Sequence, residues 1–199
     1  MKPQFEITDK TLIDDILQTV PYGTLALCKN DVPYSVPVNF VFVDEVVYFH
    51  GAKSGKKASI IEQNGSCSFS VVQDFSVIQS YFSSDEGLAC PASHFFKSVI
   101  IDGKVEIVNE YAQKAYALEM LMQKLQPEGR YKQLTDAAYE KMINATHVFK
   151  ITPTCIKGKI KLGQHLPKHR FEKIIAHLKE RGSQIDKLTI KQMKTTIKI

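Results

Sequence analysis

The chain has 199 residues, 44% hydrophobic and 24% charged, with a formal net charge of +5, a composition that buries one substantial core. No run nears the roughly 18 apolar residues of a membrane span, and the opening MKPQFEITDK has no apolar signal core, so a cytoplasmic protein with no membrane partner is expected. From Ile156 to Ile199 there are 12 Lys/Arg against 3 Asp/Glu, leaving 14 against 18 elsewhere; a nucleic-acid role is nevertheless disfavoured, because no stacking platform, helix-turn-helix or zinc pattern accompanies the charge.

Thr8-Asp9 offers an N-cap, and Leu12, Ile13, Ile16, Leu17 and Val20 fall at helical spacing, which predicts a helix over 11–20 ended by Pro21-Tyr22-Gly23. Three β-rich stretches follow, 24–28, 34–43 and 46–50, with turns at Lys29-Asn30-Asp31 and Asp44-Glu45, so an antiparallel meander is expected. Pro33 and Pro37 cannot donate to a ladder, which assigns the second stretch to an edge or a bulge. Residues 58–63 read as a short helix with Ile60 and Ile61 inward, and 66–72 as a strand that 74–81 extends. Residues 85–94 are irregular. The run 96–108 is the longest β candidate, with Asp102-Gly103 as a bulge. Helices are predicted over 110–125, 135–144 and 169–181, and a last core strand over 148–156. The expected fold is mainly β, a small antiparallel barrel with peripheral helices, in one domain over 1–182 and a basic tail over 183–199.

The segment Gly51-Ala52-Lys53-Ser54-Gly55-Lys56-Lys57-Ala58 joins a strand end to a helix start. A helix N-terminus carries partial positive charge, so first-turn lysines cost a few tenths of a kcal/mol, up to about 1, unless an anion lies nearby. Glycines that clear the approach, Ser54 as a cap, and free first-turn amides together suit a phosphate. A P-loop is excluded, because that motif needs Gly at position 50 and Ser/Thr at 57, where this chain has His50 and Lys57. A monophosphate held by point charges fits better.

His50-x-Ala52-x-x-Gly55-x-Lys57, Asn64 and Phe69-Ser70-Val71 resemble a motif order of the pyridoxamine-phosphate-oxidase-like flavoproteins of split-barrel fold, within them the nitroimidazole-resistance branch. Gly23-Thr24-Leu25-Ala26, Pro33-Tyr34-x-x-Pro37-Val38-Asn39-Phe40, Phe96-Lys97-Ser98-Val99 and Gly158-Lys159-Ile160-Lys161-Leu162-Gly163-Gln164-His165 extend the resemblance over about residues 10–180. Gly163 and His165 depart from the branch's Ser and Asn. The resemblance implies a homodimer with FMN in each of two grooves at the interface. It implies Lys57 and Lys56 at the phosphate, His50, Gly51 and Ala52 beside the ribityl chain, and backbone groups of Val38, Asn39 and Phe40 at the flavin ring. Ser98 and Val99 then approach from the partner chain, and Lys161 and Gln164 close the site.

His50 is the candidate proton donor in an oxidoreductase that reduces a small acceptor, a nitroaromatic compound among the options. The alternatives are a non-catalytic flavin-binding or regulatory module, and a haem-binding or haem-degrading split barrel. Pyridoxamine-phosphate oxidation itself is disfavoured, because the arginine-rich C-terminal clamp of that branch is missing. No two of the six histidines are spaced as metal ligands on one element, and Cys28, Cys67, Cys90 and Cys155 form no C-x-x-C pair, so neither a metal site nor structural disulfides are expected. His94, His165 and His169 read as surface residues and His147 as packed. Glu119 and Glu128 read as solvated helix charges.

Overall fold

The computed structural model describes residues 1–196. In chain order the elements are β1 (Glu6–Ile7), α1 (Lys10–Thr19), β2 (Tyr22–Lys29), β3 (Val32–Asn39), β4 (Val41–Val43), β5 (Val46–Ala52), α2 (Lys56–Gln63), β6 (Ser66–Ile78) and β7 (Ser93–Val108). Then come α3 (Tyr111–Leu125), α4 (Glu140–Ala145), β8 (Thr146–Lys161), α5 (Lys168–Arg181) and α6 (Gln184–Thr196). The strands form one sheet in the order β3-β2-β6-β7-β8-β5-β4, with β1 added to β8. Antiparallel strands with peripheral helices make this the mainly β fold that the strand pattern predicts, in the split-barrel form that the resemblance implies. The chain divides into two compact units, one of residues 9–71 and 99–157, the other of 1–8, 72–98 and 158–199.

In the first unit, α1 starts where the Asp9 carboxylate accepts a hydrogen bond from the Thr11 amide at 2.9 Å, and buries Ile16 and Leu17. Asn30-Asp31 and Asp44-Glu45 all have positive φ, between 50° and 63°, as two-residue hairpin loops with left-handed central residues require. Pro33 and Pro37 lie in β3, which ends the sheet order, so their missing donors break no central ladder. The predicted single stretch 34–43 is two strands, broken at Phe40. β3 and β4 end the sheet at opposite sides yet are joined by that one residue, so the chain turns sharply there; the fully buried Phe40 ring meets Phe69 edge-on at 5.0 Å. β7 runs through Asp102-Gly103 without a break. A Cβ at Gly103 would lie 2.5 Å from the Thr152 carbonyl oxygen, so close backbone approach is what that glycine provides. Residues 135–144 divide into a 3-10 turn at Ala137–Tyr139 and α4. Glu119 of α3, read as a solvated charge, instead accepts from the Leu134 amide at 2.8 Å and from Tyr131, fixing the connection to α4.

In the second unit, Glu6 and Ile7 pair with Lys159 and Gly158, and α5 buries Phe171, Ile174 and Leu178 before ending at Gly182, with φ 67°. The segment composition marks as a basic tail is helical over Gln184–Thr196; 197–199 lie outside the described residues. A reciprocal cap starts α6: the Ser183 amide donates to the Asp186 carboxylate at 3.1 Å, and the Asp186 amide donates to Ser183 Oγ at 3.2 Å. Fully buried Asp186 also pairs with Arg181 and accepts from Ser76 Oγ at 2.6 Å, while Thr189 Oγ1 accepts from the Ser76 amide at 3.0 Å. Arg181 beside Asp186, with the Ser183 and Ser76 hydroxyls, holds that carboxyl well below the usual carboxylate range.

This pair predicts an acid-sensitive second unit. A carboxyl with a depressed folded-state pKa contributes stability that is complete above its unfolded value, about pH 4, and is lost as pH falls toward the folded value. Asp186→Ala strips Ser76, Ser183 and the solvent-facing Arg181 of their shared partner, and a loss of about 1–3 kcal/mol in urea unfolding at pH 7 is expected. Repeating the unfolding between pH 5 and 2 should give a smaller acid-dependent loss in the variant than in the parent.

Candidate functional site

Val47, Tyr48 and Phe49 of β5 are all at most 5% exposed, so the strand is covered on both faces until it emerges at His50. Its ladder with β8 pairs Tyr48 with Lys150, Phe49 with Phe149, His50 with Val148, Gly51 with His147 and Ala52 with Thr146. Paired residues point to the same side and successive residues to opposite sides. Phe49, Gly51, His147 and Phe149 therefore share one face, and Tyr48, His50 and Val148 share the other. On the first face Phe49 and Phe149 stack at 4.9 Å, and the His147 ring meets Phe149 edge-on at 5.7 Å. On the second, Tyr48 and Val148 pack with Ala117 and Leu121 of α3, and Gln113 Nε2 donates to the Tyr48 hydroxyl at 3.1 Å.

The chain leaves β5 through Lys53-Ser54-Gly55 and enters α2 at Lys56. Ser54 does not cap the helix: Gly55 holds the N-cap position with φ 117°, and no side chain bonds the first turn. The first-turn amides are thus left to other partners. Lys57 folds back over the first face of β5, its Nζ 5.2 Å from the Phe49 ring centre and 5.5 Å from that of Phe149. A Cβ at Gly51 would come within 2.7 Å of that Nζ, so glycine leaves the space the ammonium fills. Lys56 turns instead to Tyr34, with Nζ 4.9 Å from the ring centre. Among the described residues no carboxylate pairs with Lys57, and burial pushes its pKa down.

Other cations gather at this end of β5. Lys114, in the first turn of α3, is only 6% exposed, and its pKa is lowered by burial and then by Lys53. His147 hydrogen-bonds the Lys53 backbone; its pKa is lowered by burial and then by Lys53 and Lys114, against a smaller opposite effect from Glu62. Burial, then the Lys57 charge, lowers the pKa of His50. Sequence reasoning missed Lys114 and His147 as members of this cluster. The available signal for Lys114 was a second lysine in a helix's first turn.

Of the sequence-predicted site residues, His50, Gly51, Ala52, Lys56 and Lys57 lie together on β5 and α2, with His50 on the face opposite the one Lys57 covers. Val38 and Asn39 end β3 beside Gly23 and Tyr22 of β2, and Asn39 Nδ2 donates to the Pro21 carbonyl at 3.1 Å. Phe40 is packed against Phe69, and Lys124 Nζ lies 3.6 Å from its ring centre while donating to the Leu17 carbonyl; burial pushes that ammonium down to about 8. Val99 is fully buried in β7 of the same unit. Ser98, Lys161 and Gln164 belong to the other unit. There Gln164 is already engaged: its Oε1 accepts from the Leu162 amide at 2.9 Å, and its Nε2 donates to the Ile160 and Gln4 carbonyls at 2.8 and 3.1 Å. Lys161 lines a cavity of about 440 Å³ with Cys90, His165 and Arg170, and Arg170 is fixed by hydrogen bonds to Ser83. Among the described residues no group of three His, Cys, Asp or Glu side chains has a metal-holding arrangement, and no helix is long and apolar enough to cross a membrane.

The molecule is an antiparallel split barrel in which, beyond the end of β5, an uncapped helix N-terminus carries a partly buried lysine without a carboxylate partner among the described residues. The model of the family described as pyridoxamine 5'-phosphate oxidase matches residues 9–160, and the chain belongs to that family. No curated protein matches it in sequence. Among solved structures, a candidate 5-nitroimidazole antibiotic resistance protein from Bacteroides thetaiotaomicron matches with TM-score 0.64 at 20% identity, covering 78% of this chain and 86% of its own. An FAD and heme binding protein from Mycobacterium smegmatis matches with TM-score 0.65 at 22% identity, covering 86% and 79%. The flavocytochrome Anf3 from Azotobacter vinelandii matches with TM-score 0.63 at 23% identity, covering 79% and 69%. At these identities the likeness is one of fold.

The histidine environments can be read by NMR. In the ligand-free protein His50 should titrate below the usual imidazole value of about 6.5, because burial and Lys57 both oppose its protonation. Lys57→Met removes the second cause and keeps the first, so the midpoint should rise without reaching that of an exposed imidazole. An unchanged midpoint would show that the Lys57 charge does not act on His50.

Proposed function

We propose that the protein binds FMN through its phosphate at Lys57 and the first turn of α2, and passes electrons from the reduced flavin to a small acceptor, nitroaromatic compounds included. The observation that carries this reading is Lys57: a partly buried ammonium with no carboxylate partner among the described residues, at an uncapped helix N-terminus. Such a charge is stabilised by an anion that also accepts from the free amides. The names of three structural neighbours, an FAD and heme binding protein, a flavocytochrome and a 5-nitroimidazole resistance candidate, support the same direction.

When bound, the flavin supplies the electron transfer. The protein's own groups bind and orient it. Lys57 and the amides of α2 hold the phosphate, and Lys56 adds charge at the rim. Gly51 keeps the Lys57 ammonium in place, and the edge strand around Val38, Asn39 and Phe40 offers backbone groups to the ring. His50 serves as the proton carrier. Free of ligand its imidazole is neutral at pH 7; a phosphate beside Lys57 offsets one of the two causes of that depression and moves His50 back toward protonation. A second copy of the chain completes the site with Ser98 and Lys161, while Val99, fully buried in its own protomer, only supports that strand.

A visible spectrum of the protein as purified separates flavin from haem and from no chromophore. Lys57→Ala removes a charge-assisted contact of about 1.5–3 kcal/mol, so FMN affinity in a fluorescence titration should fall at least tenfold. Equal affinity would remove Lys57 as the phosphate ligand. Light scattering at micromolar concentration should report about twice the 22.5 kDa chain mass. With chemically reduced flavin and no oxygen, the parent should be reoxidised by a nitroaromatic or quinone, and His50→Ala should slow this by about 10²–10⁴ if His50 carries the proton. A parent that holds flavin but is not reoxidised by any such acceptor would be a flavin-binding module without turnover.

A further inference from the structure

The second unit holds a cavity of about 440 Å³ walled by residues from 78–95 and 161–174. Ile78, Phe95 and Ile174, each at most 2% exposed, give it an apolar side, and Lys161, His165 and Arg170 bring three basic side chains to the same space. No acid lines it, and among the described residues neither Lys161 nor Arg170 enters an ion pair. Arg170 is held in place by Ser83, its Nε donating to the Ser83 carbonyl and its Nη2 to Ser83 Oγ, both at 3.1 Å. A guanidinium is a rigid planar fork, so the edge shared by Nη1 and Nη2 keeps its donors. Two further groups lack partners. Ser93 Oγ, buried at the cavity wall, makes no hydrogen bond among the described residues, although buried hydroxyls are ordinarily paired. The α5 helix starts here, after Pro167, with no side-chain cap over its first amides. The His165 ring meets Phe5 edge-on at 4.9 Å, and burial, then the charges of Lys161, Arg170 and Lys2, lower its pKa.

We propose that this cavity binds a small carboxylic acid with a compact apolar body, its carboxylate on the open edge of Arg170 and its hydrocarbon against Ile78, Phe95 and Ile174. The planar carboxylate matches the guanidinium fork, and Lys161 adds a point charge beside it. Ser93 Oγ gains an acceptor. A bare inorganic anion would leave the apolar wall unfilled, and a phosphate ester would set a polar linkage against it; a carboxylate joined directly to hydrocarbon satisfies both sides. The volume lies in the range of small-molecule sites, about 300–1,000 Å³. Arg170, His165 and Ser93 have no part in the flavin reading, so binding of the acid does not depend on it.

Cys90 reports on the cavity, because it lines it and is exposed to reagent, and Cys28, exposed in the first unit, serves as reference. The parent is alkylated with iodoacetamide in the presence of benzoate, indole-3-acetate or octanoate, or of the matching uncharged amides, and each cysteine is followed by peptide mass spectrometry. At least one acid should slow alkylation of Cys90 severalfold, leave Cys28 unchanged and raise the melting temperature, and its amide should do neither. With that acid bound, His165 should titrate higher by NMR, since a carboxylate offsets the neighbouring cations. In Arg170→Met, affinity for the acid should fall at least tenfold while FMN affinity stays within about twofold. Arg170→Lys, which keeps the charge and lacks the fork, should lie between parent and Arg170→Met. The proposal is overturned if no acid protects Cys90, if amides protect as well as acids, if inorganic phosphate protects equally, or if Arg170→Met binds the acid as the parent does. Should Arg170→Met not fold, the comparison of acid with amide on the parent decides. Failure of the parent to bind FMN, with protection of Cys90 intact, would remove the flavin reading and leave the carboxylate site standing.

Discussion

The constraint on which the site depends is the pairing of β5 with β8. Its register places Phe49 on Phe149 and Gly51 on His147. The stacked rings form a flat apolar floor, and the glycine one step beyond opens a gap at its end. Lys57 returns from the first turn of α2 into that gap, where the ring faces attract its ammonium but supply no counter-charge. A one-residue slip of the ladder would pair Phe49 with Val148 or Lys150, put the two rings on opposite faces and remove the floor under the ammonium. The fold and the seat of the Lys57 ammonium are therefore set by the same pairing.

Helix electrostatics sharpen the point. The dipole at the start of α2 disfavours Lys56 and Lys57, and the one at the start of α3 disfavours Lys114. Elsewhere the preference is followed at some helix ends and not at others: acids cap α1 and α3 at Asp9 and Glu110, and Lys179 and Arg181 close α5, while Lys168 and Arg170 open α5 without a side-chain cap. What sets the start of α2 apart is that Lys57 is partly buried there with no carboxylate partner among the described residues.

The meander was legible because its turns are chemically explicit: Asn30-Asp31 and Asp44-Glu45 accept positive φ, and Pro33 and Pro37 mark an edge strand. The break at Phe40 was not, since a buried aromatic residue between apolar strand residues carries no turn signal. The α6 helix escaped for another reason. Its fully covered positions are Asp186, Thr189 and Met193, while Ile185 and Leu188 are exposed, so the usual apolar period is inverted. What could have announced it is the spacing of Ser183 and Asp186 after Gly182, a stop signal followed by a cap. Glu119 was misread because its partners, Tyr131 and the Leu134 amide, lie beyond the helix's end, in a connection that periodicity does not describe.

Of the site, the lysine loop was legible and its surroundings were not. Strand alternation places Tyr48 and His50 on one face, yet it does not say which face α2 folds over. The helix covers the other one, so the imidazole that shares a face with Lys57 is His147, contributed by a strand nearly a hundred residues later. His50, at the strand end, instead feels the Lys57 charge from the opposite side. The two histidines thus flank the terminus of β5 from its two faces, both held neutral by burial and by neighbouring lysines. An anion arriving at the lysines changes the second of those causes for both rings at once. Ligand binding and imidazole protonation are therefore coupled by linkage, and each must strengthen the other by the same factor.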